Sequence, residues 1–306
     1  MRIRGSVAPM AAALGLVAIA GLASDVASFA LARRGIGGPR LTMRRVELGG
    51  ASGLVLEAGQ GPCVLVLASM LVRARSYLPL LRQLSVSHRV LVVELPGSGS
   101  GSRLRRPWSV QQYASWTERL ISELELRELT LIGHSNSGAV ALTLAARVAP
   151  ASRVSLLVLV GSVGARMRRG VLRVIAARTL DGTKELGLDL RGWWHLAWNM
   201  LFHPRSFVAH VRLASHAWLV DAARAVRVPT LLAWAKSDRT MPLSSAQRLQ
   251  AWIPQARLLI GPGSHDWLVT HPRAFVEQVF GSGMGSPSMP GCAAARPLLA
   301  RTDPEH

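Results

Sequence analysis

Cysteine is scarce in this 306-residue chain, which has two, Cys63 and Cys292. Two thiols can build neither a disulfide scaffold nor a zinc site with four cysteine ligands. Charged residues are also few, at 17% against 49% hydrophobic residues. This apolar content excludes disorder over most of the chain, because there is ample surface to bury in a core.

Acidic residues are few as well: 17, against 36 basic residues, leave a formal net charge of +19. Only Lys184 and Lys236 are lysines; the other basic residues are arginines scattered along the chain. No nucleic-acid motif with interleaved aromatic residues accompanies them, so we expect no nucleic-acid partner. The charge fits a solvated basic surface, or a surface attracted to anionic lipid.

A long apolar run occurs near the N-terminus, over residues 7–32, interrupted by Asp25. A basic start and a small-x-small pattern at 18–20 are typical of a secretory signal peptide. The run is also long enough for a membrane anchor, which needs about 20 residues. Five arginines between residues 33 and 45 favour an uncleaved anchor with the following domain in the cytoplasm. We expect membrane association through residues 1–40, which include a linker, and leave the side of the membrane open.

Short apolar runs alternate with amphipathic stretches from residue 41 onward, which predicts a mostly parallel sheet covered by helices on both faces. Residues 164–227 interrupt this alternation with helical, arginine- and tryptophan-rich sequence, and we interpret them as an inserted cap. Residues 281–306 are rich in glycine, serine, proline and alanine and are predicted to be a disordered tail. The predicted strands are 63–68, 90–94, 129–132, 154–160, 230–235 and 256–260.

One strand, LTLI, leads directly into the sequence Gly133-His-Ser-Asn-Ser-Gly138 and then into a helix. Ser135 therefore lies on a strand-to-helix turn with small neighbours, as in a nucleophile elbow. The start of the helix stabilises negative charge, and the backbone N–H of Asn136 is placed to donate to an oxyanion.

A serine nucleophile requires a base, and the base requires a carboxylate to orient it. His265 and Asp238 both lie in loops that follow predicted strands. In a parallel sheet these loops leave the same edge as the elbow. The chain order Ser135, Asp238, His265 is the Ser-Asp-His order of an α/β fold.

The sequences GHSNSG, ELPGSGSGS (94–102), AKSDRTMP (235–242) and GPGSHD (261–266) resemble the α/β-hydrolase family over residues 41–280. The resemblance implies an eight-stranded, mostly parallel sheet with helices on both faces and a helical cap inserted after the sixth strand. It implies that Ser135 is the nucleophile, Asp238 the acid and His265 the base, and that no cofactor or metal is needed.

The chain departs from the family pattern after the strand CVLVLA, where a His-Gly pair is usual. Here Ala68 and Ser69 occupy those positions. By position, the backbone N–H of Met70 is the second expected oxyanion donor. The backbone has less freedom without the glycine, which points either to a loop that still presents Met70 or to a slow or altered hydrolase.

These observations predict a serine hydrolase that cleaves carboxylic esters of an apolar or acyl substrate through an acyl-enzyme. Amide, thioester and carbon–carbon hydrolysis use the same triad and stay open. The aromatic run 193–202 fits packing within the cap, an acyl-binding wall or a surface facing a bilayer. The alternative function is a non-catalytic, membrane-tethered binding protein with this fold; the missing His-Gly pair favours that alternative and the intact triad opposes it.

Overall fold

The computed structural model of the protein describes residues 22–23, 26–27, 29–31, 33–35, 40–147, 153–165, 173, 176–178, 180–181 and 190–281. Most of the predicted apolar segment and linker, parts of the predicted cap, Cys292 and nearly all of the predicted tail lie outside these residues. Within the described ranges, no helix is both long and apolar enough to cross a membrane.

The core of the fold is an eight-stranded sheet with strand order β1-β2-β4-β3-β5-β6-β7-β8. The β1–β2 and β2–β4 pairs are antiparallel and the remaining pairs are parallel. The central strands are mostly apolar and buried because helices cover both of their faces. The strands are β1 Thr42–Leu48, β2 Ala51–Ala58, β3 Cys63–Leu67, β4 Arg89–Glu94, β5 Leu129–His134, β6 Val154–Val160, β7 Thr230–Ala235 and β8 Ala256–Gly261.

Helices flank the sheet, in the connections between its parallel strands and after its last strand. In the described part of the chain, these helices are α1 Leu78–Leu84, α2 Val110–Glu123, α3 Asn136–Arg147, α4 Leu190–Phe202, α5 Pro204–His216, α6 Val220–Ala225, α7 Leu243–Trp252, α8 Trp267–Thr270 and α9 Pro272–Phe280. A 3₁₀ turn, Ala74–Tyr77, precedes α1. The mostly parallel sheet predicted from the sequence pattern, and the eight strands that the family resemblance implies, are confirmed.

Local sequence sets several of these boundaries. Ser109 caps α2 by accepting a hydrogen bond from the N–H of Gln112, whose side chain in turn accepts from the N–H of Ser109. The sequence 265–280 predicts a single final helix, whereas the structure has two helices there, α8 and α9. The break falls at His271 because Pro272 favours the first turn of a new helix and cannot continue the preceding one.

Helices α4, α5 and α6 lie between β6 and β7, where the cap was expected. Helix α4 is joined to the loop after β4 at Gly99. The Asn199 side chain accepts from the N–H of Gly99 at 2.7 Å, and the Trp198 indole donates to the Gly99 carbonyl at 2.9 Å. The α4 aromatic residues with described side chains, Trp194, Trp198 and Phe202, form a stack, and this arrangement fits packing of the cap.

The strand register brings four carboxyl ends to one edge of the sheet. His134 pairs with Val160, Val160 pairs with Ala233, and Ala235 pairs with Gly261. The loops that follow β5, β6, β7 and β8 therefore leave the sheet side by side, which is where α/β sheets place their sites.

Candidate active site

Ser135 occupies a tight turn between β5 and α3 and has a φ of 56°, which is unusual for a residue with a side chain. Two hydrogen bonds hold this turn against β6 and the loop after it. The N–H of Ser135 donates to the Val160 carbonyl at 2.9 Å, and the Ser135 carbonyl accepts from Val163 at 2.9 Å. A backbone fixed in this strained state is typical of a nucleophile elbow.

The glycines on either side of the elbow are required by close packing. A Cβ added to Gly133 would lie 2.6 Å from the Ala141 Cβ, and one added to Gly138 would lie 2.1 Å from the Ser162 hydroxyl. Ser137, which lies between these glycines, donates its hydroxyl to the Ala68 carbonyl at 2.6 Å. This hydrogen bond ties the elbow to the loop after β3.

The side chains of Ser135, His265 and Asp238 form one hydrogen-bonded line. His265 Nε2 lies 3.0 Å from Ser135 Oγ, and His265 Nδ1 lies 2.9 Å from Asp238 Oδ2. All three residues are buried. The structure thus brings together the three residues that the sequence selects, although Ser135 lies 130 positions before His265 and Asp238 lies 27 positions before it.

Asp238 is fixed at both of its oxygens. Its Oδ1 accepts from the N–H of Met241 at 2.6 Å while Oδ2 faces His265. The same loop is held from the other side by Asp181, whose carboxylate accepts from the Thr240 N–H and hydroxyl at 2.7 Å each. Gly161 passes so close that an added Cβ would lie 3.1 Å from Asp238 Oδ2.

Two opposing effects set the pKa of His265. Burial disfavours the imidazolium and lowers the pKa, but the charge of Asp238 and its hydrogen bond favour the imidazolium. The Asp238 carboxylate prevails, so the pKa of His265 lies above its ordinary value of 6.5. Such an imidazole is suited to taking a proton from Ser135 and holding it.

The two expected oxyanion donors differ in their hydrogen bonding. The N–H of Asn136, in the first residue of α3, takes part in no hydrogen bond with any residue that the structure describes. The N–H of Met70 donates to the Oδ1 of the Asn136 side chain at 3.0 Å. Met70 thus lies beside the elbow, as expected by position, with its N–H directed to a protein acceptor.

A buried polar chain that the sequence analysis did not identify lies behind the triad. The Tyr77 hydroxyl accepts from the Ser69 N–H at 2.7 Å and contacts His134 Nδ1 at 2.5 Å. His134 Nε2 lies 3.7 Å from Asp266, which forms an ion pair with Arg178 at 2.7 Å. Burial lowers the pKa of His134 to about 3, so this residue is neutral. No sequence signal links Tyr77 to His134, because the contact depends on how the 3₁₀ turn before α1 packs against the sheet.

His134, His265 and Asp266 place one potential metal-ligand atom each within 4.8 Å of one another. Their donor atoms already have partners, however. His265 Nε2 faces Ser135, and Asp266 is neutralised by Arg178. A metal ion at this position would have to break the triad, so this cluster fits the triad better than a metal.

The fold and this arrangement of side chains define a protein with the α/β-hydrolase architecture. Comparison with known proteins gives the family: residues 54–278 match the profile of the Alpha/beta hydrolase family. The chain belongs to this family.

Among curated relatives, the chain is similar to a 2-hydroxymuconate semialdehyde hydrolase of Pseudomonas putida, with 29% identity over 64% of this chain and 76% of the relative. Among solved structures, it is similar to a membrane phospholipase A described as a bacterial virulence factor. That match has a TM-score of 0.71 and 21% identity, and covers 92% of this chain and 98% of the other. An esterase of Exiguobacterium antarcticum matches with a TM-score of 0.63 and 20% identity, over 78% of this chain and 97% of the other.

Proposed function

We propose that the protein is a serine hydrolase that cleaves carboxylic esters of apolar or acyl substrates through an acyl-enzyme. The observation that carries this proposal is the line of contacts from Ser135 Oγ to His265 at 3.0 Å and from His265 to Asp238 at 2.9 Å. Membership of a hydrolase family supports the same class of reaction.

The proposed reaction has two halves. Ser135 Oγ bonds to the substrate carbonyl carbon while its proton passes to His265 Nε2, and the carbonyl electron pair forms an oxyanion. The tetrahedral intermediate expels the alcohol, which takes the proton from His265. Water then attacks the acyl-enzyme with His265 again as the base, and this step releases the acid and free Ser135. Asp238 holds the imidazole in the required tautomer and stabilises the imidazolium.

The preference for an apolar substrate is supported by the residues that follow β3. Met70 and Leu71 are both buried and apolar, and they belong to the loop in which the Met70 N–H donates to the Asn136 side chain. This loop offers hydrocarbon rather than charge to a bound acyl group, and such pockets bind mostly through apolar contact.

The triad assignment is tested by replacing Ser135 with alanine and measuring hydrolysis of short and long p-nitrophenyl esters. We expect Ser135→Ala to lose turnover while its circular dichroism spectrum and melting temperature remain those of a folded protein. Ser87→Ala is the matched control, because Ser87 is exposed in the turn before β4, at the opposite edge of the sheet. Equal activity in the Ser135→Ala and native proteins would remove the assignment.

A non-catalytic binding protein is the second candidate, and one contact favours it: the Met70 N–H is already paired with the Asn136 side chain. A fluorophosphonate probe separates the two candidates, because it reacts only with an activated serine. Stoichiometric labelling of Ser135 in native protein supports the hydrolase, and no labelling of folded protein supports the binding protein.

We also propose that the chain associates with a membrane through the apolar segment at 7–32. The support is its length, its apolar character and the arginines on both of its flanks.

A further inference from the structure

The Asn136 side chain accepts a hydrogen bond from the backbone N–H that the oxyanion of an acyl substrate would need. Its Oδ1 accepts from the Met70 N–H at 3.0 Å and from the Ser69 hydroxyl at 3.2 Å. The Ser69 hydroxyl in turn lies 3.4 Å from the N–H of Leu71. Asn136 is fully buried, so water does not compete for these contacts.

The orientation of the Asn136 carboxamide follows from its partners. A backbone N–H and a serine hydroxyl supply hydrogens, and only the oxygen of a carboxamide accepts them. The Nδ2 group therefore points away from Met70, and it is buried with no hydrogen-bond partner in the described part of the chain. Leaving a buried donor unpaired is unfavourable, and the hydrogen bonds of this side chain to described residues are all made at Oδ1.

An oxyanion hole works by presenting unpaired donors to the charge that develops on the substrate oxygen. One donor here, the N–H of Asn136, is unpaired with described residues, and the other, the N–H of Met70, is occupied by Asn136 Oδ1. Asn136 thus supplies the first donor with its backbone N–H, and its side-chain oxygen occupies the second donor, the N–H of Met70.

We propose that the Asn136 carboxamide is a built-in competitor for the oxyanion hole, and that acyl transfer requires the substrate oxygen to displace Asn136 Oδ1 from the N–H of Met70. This inference rests on the proposed function. It makes Asn136 a residue that determines rate and specificity: carbonyl groups that fit closely against Met70 displace the carboxamide, and bulky or weakly accepting ones do not.

Displacement of Asn136 does not change which bonds form and break in the acyl-transfer step. Ser135 Oγ bonds to the carbonyl carbon, the π electrons move to the oxygen, and His265 takes the proton. The new oxyanion then accepts from the N–H groups of both Asn136 and Met70. Release of the carboxamide breaks the contacts of Oδ1 with both the Met70 N–H and the Ser69 hydroxyl, so both contacts oppose displacement.

The test uses Asn136→Leu in the full chain, because leucine has nearly the same shape and removes both the acceptor oxygen and the unpaired Nδ2. We expect kcat/KM for a short p-nitrophenyl ester to rise about tenfold, a part of the 10²–10³ that one oxyanion donor contributes in other hydrolases. A trifluoromethyl ketone, which forms an oxyanion on Ser135, is expected to bind more tightly by a similar factor. Asn136→Asp keeps acceptor oxygens of the same shape, and we expect it to show no such rise.

Ser69→Ala is the second variant, because it removes one of the two donors that hold Oδ1 and leaves Asn136 itself intact. We expect a smaller rise in kcat/KM, and it keeps the proposal testable where Asn136→Leu fails to fold, as judged by the melting temperature. Lower or equal kcat/KM and ketone affinity in every folded variant would overturn the inference.

Fluorophosphonate labelling separates failure of this inference from failure of the proposed function. Labelling of Ser135 at the same rate in native, Asn136→Leu and Ser69→Ala proteins overturns the proposed competition by Asn136. The same result still supports the proposed hydrolase function. No labelling in any of them overturns both. Faster labelling in the variants than in native protein supports the competitor.

Discussion

At the residue scale, the site depends on backbone strain that a few hydrogen bonds offset. The left-handed conformation of Ser135 costs about 1–3 kcal/mol for a residue with a Cβ. The strand and loop around β6 hold it through Val160 and Val163. This conformation places the Ser135 hydroxyl above the sheet edge, where the loops after β7 and β8 bring the Asp238 carboxylate and the His265 imidazole.

The sequence was sufficient to select Ser135, Asp238 and His265, because each follows an apolar strand and the register of a parallel sheet aligns strand ends. Met70 was also selected by its position after β3. Its contact with the Asn136 side chain was not foreseen, because that contact depends on one rotamer between residues 66 positions apart. Patterns locate backbone groups well, but they do not predict which side chain turns toward them.

The pH profile of the reaction tests the pairing of His265 with Asp238. The base must be neutral, and the Asp238 carboxylate raises the pKa of His265 above 6.5, so activity is lost as the pH falls below that raised value. We expect the acid limb of kcat/KM for a p-nitrophenyl ester to have its midpoint above pH 6.5. In Asp238→Asn the imidazolium loses its carboxylate, so the midpoint moves to lower pH and kcat falls on the order of 10⁴-fold, as in other triads.

Asp221→Asn is the control for this comparison, because Asp221 is exposed on α6. It is expected to keep both the rate and the midpoint of the native protein. An Asp238→Asn protein with an unshifted midpoint and native turnover would show that Asp238 does not act on His265.

At the element scale, the sequence predicted the parallel strands and missed the antiparallel ones. Runs such as CVLVL are apolar at every position because both faces are covered. Strand β1 carries Arg44 and Arg45 and is mostly exposed at the edge of the sheet, so its pattern differs little from that of a loop. Arg44 pairs with Glu57 of β2 at 2.8 Å, a cross-strand contact that only the folded register defines.

The cap helix α5 is joined to the core helix α2 by a buried histidine. His210 Nε2 lies 3.0 Å from the Tyr113 hydroxyl. Burial lowers the pKa of His210 to about 3, an effect that the backbone of Met70 opposes and that His203 reinforces. The folded protein therefore keeps His210 neutral at a pH where the unfolded chain, with an ordinary pKa near 6.5, binds a proton.

Stability is therefore expected to fall as the pH drops from about 6.5 toward 3, because the unfolded state binds more protons in that window. His210 alone should lower the free energy of unfolding by about 2 kcal/mol between pH 7 and pH 5. Urea unfolding followed by tryptophan fluorescence at the two pH values measures this loss. His210→Gln should lose less over the same interval, whereas the exposed His216→Gln should match the native loss. Equal losses in all three proteins would contradict the assignment.

At the scale of the whole molecule, the α/β-hydrolase domain and the N-terminal segment differ in what the sequence could establish. Strand periodicity and loop motifs predicted the sheet and the edge that carries the candidate site, since both follow from burial and register. The apolar segment at 7–32 gave two competing interpretations, because hydrophobicity alone does not distinguish an anchor from a signal peptide.

Membrane association is tested by fractionating cells that make the full chain. We expect the protein in the membrane pellet, and we expect it to stay there after washes in 1 M salt and in alkaline carbonate, because an inserted apolar segment does not depend on charge. A protein held only by its excess arginines, at a net charge of +19, would leave in high salt, since the Debye length is then about 3 Å. N-terminal sequencing of the recovered chain distinguishes a signal peptide from an anchor. A chain that starts just after residue 20 has lost a cleaved signal peptide, which contradicts the anchor. A chain that starts near residue 1 has kept the segment, which supports the anchor.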